Sequence, residues 1–94
     1  MSNLPRPLNK IAAEILTLWR ETPPSFNVRR FALPYIFAML DLKSCHDNYG
    51  MEYGDMIVAH AQSNMTNWRG GDARRIKSEL NLHLENFNAV HNRA

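Results

Sequence analysis

Three residues that can bind metals or act in catalysis stand in a row at Cys45-His46-Asp47, and further histidines are His60, His83 and His91. Structural zinc sites space their ligands two to four residues apart in pairs, and a helical pair of histidines needs i and i+4 spacing. No two histidines in this chain have that spacing. The sequence therefore predicts no metal site and no bound cofactor.

The residues also give little support for catalysis. A cysteine nucleophile needs a base beside its thiol or a lowered pKa, and sequence adjacency does not bring the side chains of Cys45 and His46 together. Carboxylates that could act as an acid and base pair cluster beside a turn, where solvent is plentiful: Asp41, Asp47, Glu52 and Asp55. The glycines match neither the Walker pattern nor the dinucleotide fingerprint. We predict that the protein is not an enzyme.

Any site must be positioned by helices, because apolar residues recur at helical spacing and no strand-like alternation is sustained. The pattern predicts an all-α compact bundle of three to four helices over 7–20, 26–42, 51–66 and 72–90. The second segment is apolar on nearly every face, which predicts a central helix. Pro34 either kinks this helix or lies in the first turn of a new one. Residues 43–50 are predicted to form a loop.

Length and composition further restrict the class of protein. The 94 residues fit one helical domain, 1–94, whose core is too small for a deep enclosed site. The chain lacks an apolar run long enough for a secretory signal or a membrane span, and its one cysteine cannot form an internal disulfide. These features predict a cytoplasmic protein. The net charge of +2 is too small to indicate a polyanionic partner by itself.

Charge is distributed unevenly along the chain. Residues 69–77 hold four basic residues against one acidic residue, whereas residues 41–55 hold four acidic residues against one basic residue. Arginine and aromatic residues are favoured at protein interfaces, and Leu82 projects from a polar helix face. We predict a partner-binding surface made of Trp68, Arg69, Arg74, Arg75, Lys77 and Leu82. Alternatively, Arg75 and Glu79 pair at i and i+4 on a solvated face.

Two other functions stay open. The basic stretch 69–77, with Arg29-Arg30-Phe31, interleaves basic and aromatic residues as single-strand nucleic-acid binders do. The segment 64–71 that joins the third and fourth predicted helices is longer than the tight turn of a helix-turn-helix motif, which argues against that motif. Small domains also often complete their cores by oligomerising, which makes a self-associating structural protein the second alternative.

The segment from Trp68 to Leu80, which reads WRGGDARRIKSEL, resembles small uncharacterised proteins encoded by bacteriophages and prophages. Those proteins end in a similar Trp-Arg-Gly and Ala-Arg-x-Ile-Lys-x-Glu-Leu segment, and 31–35 and 39–40 are also similar. The resemblance brings no activity or catalytic residues. It implies a small protein in the host cytoplasm that docks on a host protein or an anti-phage defence complex and inhibits it sterically.

Overall fold

Four helices make up most of residues 5–91, the part of the chain that the computed structural model describes. Helix α1 spans Leu8–Glu21, α2 spans Phe26–Met39, α3 spans Gly54–Ser63 and α4 spans Gly71–His91. The prediction of an all-α bundle is confirmed. The predicted second helix ends three residues too late, and the predicted third helix extends too far at both ends.

Helix α1 shows how spacing determines burial. Its residues at i, i+3, i+4 and i+7 form one apolar stripe that is fully packed in the core: Leu8, Ile11, Ala12 and Ile15. Pro7 precedes the helix and provides no side-chain cap, so the amide of Leu8 donates instead to the carbonyl of Lys43 at 2.9 Å. The start of α1 is therefore held by the loop that follows α2.

Helix α2 continues through Pro34, so no new helix begins there. The Ser25 hydroxyl caps the helix by accepting a hydrogen bond from the amide of Val28 at 3.4 Å. Pro34 has no N–H, and the carbonyl of Arg30 consequently lacks its usual i to i+4 donor. Because Pro34 is exposed, this change in the hydrogen bonding lies on the solvent side.

A short hairpin replaces part of the predicted loop and the first turn of the predicted third helix. Strand β1, Asn48–Tyr49, pairs antiparallel with β2, Glu52–Tyr53, with Tyr49 opposite Glu52. Gly50 has a φ of +62°, the backbone conformation that the first central position of a tight two-residue hairpin requires. The expectation of a plain loop is wrong at 48–49, and α3 begins only after the hairpin.

Gly54 marks the closest approach between α3 and the preceding turn. Its amide donates to the carbonyl of Asp47 at 2.9 Å. The carboxylate of Asp47 accepts from the amides of Lys43 at 2.8 Å and Ser44 at 3.3 Å, and these hydrogen bonds stabilise the turn. A single aspartate thus connects the end of α2 with the start of α3.

The buried apolar residues form one cluster to which all four helices contribute. Helix α2 packs most extensively against α3, while α4 contacts both α3 and α1. The rings of Trp19 and Trp68 meet edge to face with centroids 5.4 Å apart, an arrangement that aromatic pairs prefer. No helix in the described part of the chain is both long and apolar enough to cross a lipid bilayer.

Candidate protein-binding surface

Trp68, the aromatic residue of the predicted surface, belongs to the core. Its side chain is 8% exposed and packs against Trp19. A tryptophan buried to this extent offers little area to a partner. The prediction that Trp68 contacts a partner is therefore corrected, because its ring is part of the core.

Lys77 stabilises the fold and is half-buried. Its ammonium group donates to the carbonyls of Thr66, at 3.3 Å, and of Trp68. These carbonyls follow the end of α3, where helical partners are lacking. Burial, and to a smaller extent the charge of Arg69, lowers the pKa of Lys77. The side chain thus connects α4 to the segment after α3.

Arg75 belongs to an ion-pair network that joins α1, α4 and the segment before α1. Its Nη2 atom lies 2.6 Å from Oε2 of Glu14 and 3.2 Å from Oδ1 of Asp72. Arg6 uses its Nη2 atom to bind Glu14 and Glu79, each at 2.7 Å. Glu79 therefore pairs with Arg6, and Arg75 pairs with Glu14 and Asp72 instead of forming the alternative i, i+4 pair with Glu79. We call these five residues the Arg6 network.

The remaining predicted residues, Arg69, Arg74 and Leu82, differ in exposure. Arg69 and Arg74 are exposed, and neither side chain forms an ion pair or a hydrogen bond within the described residues. Leu82 is half-buried on α4. The side chains of Arg75 and Lys77 bind other residues of the same chain. The basic stretch 69–77 therefore offers a partner two arginines, Arg69 and Arg74, rather than four cations.

The residues considered for metal binding and catalysis lie in different surroundings. Cys45 is buried, and this burial, followed by the charge of Asp55, raises the pKa of its thiol to about 12. His46 is exposed beside the ring of Phe87, with centroids 5.0 Å apart. His60 stacks on Tyr35, and Nε2 of His83 donates to the carbonyl of Arg6 at 2.6 Å. Within the described residues, no three potential metal ligands come together; the side chain of His91 lies outside them.

The solvent-facing side of α2 exposes large hydrophobic side chains that the surface predicted from the sequence does not include. Phe26 is 66% exposed, Phe37 is 52% exposed and Leu40, the C-cap residue, is also exposed. With the exposed Arg30 and the half-buried Leu33 they form a line that we call the outer stripe: Phe26, Arg30, Leu33, Phe37 and Leu40. The expectation of a fully central α2 is wrong, because only one side of the helix is covered by its neighbours.

A groove runs beside the outer stripe, between α1 and α2. It has a volume of about 270 Å³, and its lining residues are Leu16, Trp19, Arg20, Arg29, Leu33 and Phe37. Four of these six residues are apolar, and both of the others are exposed arginines. The groove therefore combines an apolar lining with positive charge, which is the composition that suits an amphipathic partner of negative charge.

The hairpin is a second exposed apolar region. Met51 at its turn is 98% exposed, and three large side chains close to it in the sequence are also exposed: Tyr49, Tyr53 and Met56. Tyrosine and methionine are enriched at protein interfaces. Unlike the outer stripe, the hairpin lies within the acidic stretch 41–55.

Comparison of the chain with known proteins provides no relative from which a function could be inferred: no family model, curated protein or solved structure matches it.

Proposed function

We propose that this protein is a non-enzymatic binding protein that docks on another protein through the outer stripe of α2 and the adjoining α1–α2 groove. The observation that carries the proposal is the exposure of Phe26, Phe37 and Leu40 on one side of a helix whose other side is in the core. Single exposed hydrophobic residues are common on protein surfaces, whereas an aligned set beside a groove marks an interaction site.

The partner that we propose is a host protein or an anti-phage defence complex in the host cytoplasm, which the chain inhibits by covering part of its surface. The similarity of residues 68–80 to small phage proteins supports this context. The small size of the domain supports a steric mode of action, because a helical module of this kind contributes a surface rather than a deep cleft.

The proposal is tested by affinity capture from host lysate with the purified protein as bait and quantitative mass spectrometry as the readout. We expect Phe37→Glu to lose the specifically captured protein, since an exposed charge would replace a contact residue. Arg74→Glu, on the surface predicted from sequence, is the matched control and should keep that protein. Circular dichroism of both variants verifies that they fold. Equal capture by the wild type and Phe37→Glu would refute docking through this face.

A further inference from the structure

We infer that the outer stripe binds an acidic amphipathic helix of the partner; this inference rests on the proposed function and specifies what the partner presents. The first observation is spacing. Positions 26, 30, 33, 37 and 40 are separated by four, three, four and three residues. This alternation is the pattern by which one helix packs lengthwise against another, because it keeps one line of side chains facing the neighbouring helix.

The length of the surface fits a helix as well. The 14 residues of α2 extend for about 21 Å at 1.5 Å per residue. Leu33 and Phe37 belong to both the stripe and the groove, so the two features form one continuous surface along α2. A partner helix of about four turns would cover it and place its apolar face in the groove.

The second observation is charge. Helix α2 contains Arg29 and Arg30 but no aspartate or glutamate, and α1 adds Arg20 to the groove. All three arginines are exposed, and none of them forms an ion pair within the described residues. The Arg30 guanidinium lies 5.4 Å from the centroid of the exposed Phe31 ring. Arginines in this setting recognise carboxylates, which they can bind through two parallel hydrogen bonds.

The same charges disfavour other occupants. A second copy packed on this face would bring together the four arginines of two α2 helices, neither of which carries a carboxylate, and like charges at an interface are repulsive. A single-stranded nucleic acid would satisfy the charge, but the aliphatic Leu33 and Leu40 occupy stripe positions where base stacking needs aromatic rings. An acidic helix satisfies both the charge and the spacing.

The test uses two lactam-stapled helical peptides of about 20 residues with identical leucines at alternating four- and three-residue spacing. One carries glutamate at the positions flanking the leucines and the other carries lysine. Fluorescence anisotropy measures affinity, and two-dimensional NMR of the labelled protein locates binding. We expect the glutamate peptide to bind about tenfold more tightly than the lysine peptide, with weaker binding at high salt. Shifted signals should fall on α1 and α2.

Variants test the arginines and the phenylalanines of this surface. We expect the double variant Arg29→Glu, Arg30→Glu to reverse the preference between the two peptides, and Phe26→Asp and Phe37→Asp each to abolish binding. The two phenylalanine positions are independent, so misfolding of one variant leaves the other as a test. Equal affinity for the two peptides, no binding of either, or shifted signals on the hairpin would overturn the inference.

Further measurements test whether a second copy of the chain or a nucleic acid occupies the outer stripe instead. Light scattering that shows a dimer dissociated by Phe37→Asp would identify a second copy as the occupant. Displacement of the glutamate peptide by a single-stranded oligonucleotide would identify nucleic acid. Either result overturns the inference. If Phe37→Glu loses the captured host protein while neither peptide binds, the proposed function stands and the acidic helix is refuted.

Discussion

Gly54 lies where α3 meets the preceding turn and has no room for a side chain. A Cβ atom there would lie 2.9 Å from the carbonyl oxygen of Cys45 and still closer to that of Asp47. Both contacts are backbone atoms, and the turn that holds them is fixed by hydrogen bonds. We expect Gly54→Ala to lower the free energy of unfolding by about 1–3 kcal/mol, as overpacking does. Urea denaturation followed by circular dichroism measures the change.

Gly71 provides the control, because it is also helical and a Cβ atom there meets nothing within 4 Å. Alanine is the better helix former, and Gly71→Ala should therefore leave stability unchanged or raise it by up to about 1 kcal/mol. An equal loss of stability at both positions would show that the close approach at Gly54 is not the cause.

Substitution of Trp68 distinguishes a role of this residue in the core from a role at an interface. Truncation of a buried aromatic side chain costs about 3–5 kcal/mol, and we expect Trp68→Ala to lose that much because Trp68 packs against Trp19. The neighbouring exposed Arg69 gives the comparison: Arg69→Ala should change the free energy of unfolding by less than about 0.5 kcal/mol. Wild-type stability in Trp68→Ala would contradict the burial of the ring.

The Arg6 network makes the contact between α1 and α4 dependent on pH. Hydrogen bonds from Arg75 and then Arg6 lower the pKa of Glu14 from its ordinary 4.5 to about 2. A pKa that folding lowers gives stability that is present above pH 4.5 and is lost as the pH falls toward 2. Since the two arginines are 42% and 47% exposed, water screens the pairs, and the loss should be about 1 kcal/mol.

Urea denaturation at a series of pH values between 7 and 2 checks this expectation. Glu14→Gln should reduce the loss of stability below pH 4.5, because its side chain does not titrate. Glu85→Gln, an exposed carboxylate on α4, should keep the wild-type slope. If the wild type and Glu14→Gln lose stability in parallel, the network does not contribute to the acid sensitivity.

Sequence periodicity predicted the helices that bury a single face. It did not predict which residues are buried where this depends on the packing of neighbouring helices. The buried positions of α1 and the positions Ala73, Ile76 and Leu80 of α4 follow directly from helical spacing. The hairpin has two residues in each strand, too few for alternation to be visible. Helix α2 is apolar all round, and only the packing of α1 and α3 against one side decides which residues remain exposed.

The candidate site could be predicted less well than the fold. Residue type alone does not show whether a lysine faces a partner or a carbonyl of its own chain, and Lys77 binds carbonyls that lie 9 and 11 residues earlier. Arg6 and Glu79 are separated by 73 residues and carry no local sign of their pairing. The alternating spacing of the outer stripe was present in the sequence, but apolar residues at the other positions of α2 concealed it.

At the scale of the whole molecule, Cys45 reports whether the bundle opens cooperatively. Its thiol is buried with a pKa near 12, so very little reactive thiolate exists at pH 8. We expect an aromatic disulfide reagent to label Cys45 only in unfolded molecules, so that the labelling rate rises in urea with the unfolded fraction given by circular dichroism. The double variant Cys45→Ala, Ser78→Cys places a thiol at an exposed position and should react at once. Rapid labelling of Cys45 without urea would show that residues 43–47 open independently.

Residues 5–7 are joined to α4 through the backbone as well as through a side chain. The amide of Arg6 donates to Glu79 at 2.8 Å, and its carbonyl accepts from His83 at 2.6 Å. A shortened chain that starts at Leu8 would keep every apolar core residue of α1 but leave a buried imidazole without its acceptor and a carboxylate without its counter-charge. Trimming residues 5–7 to obtain a minimal version of the protein would therefore lower its melting temperature.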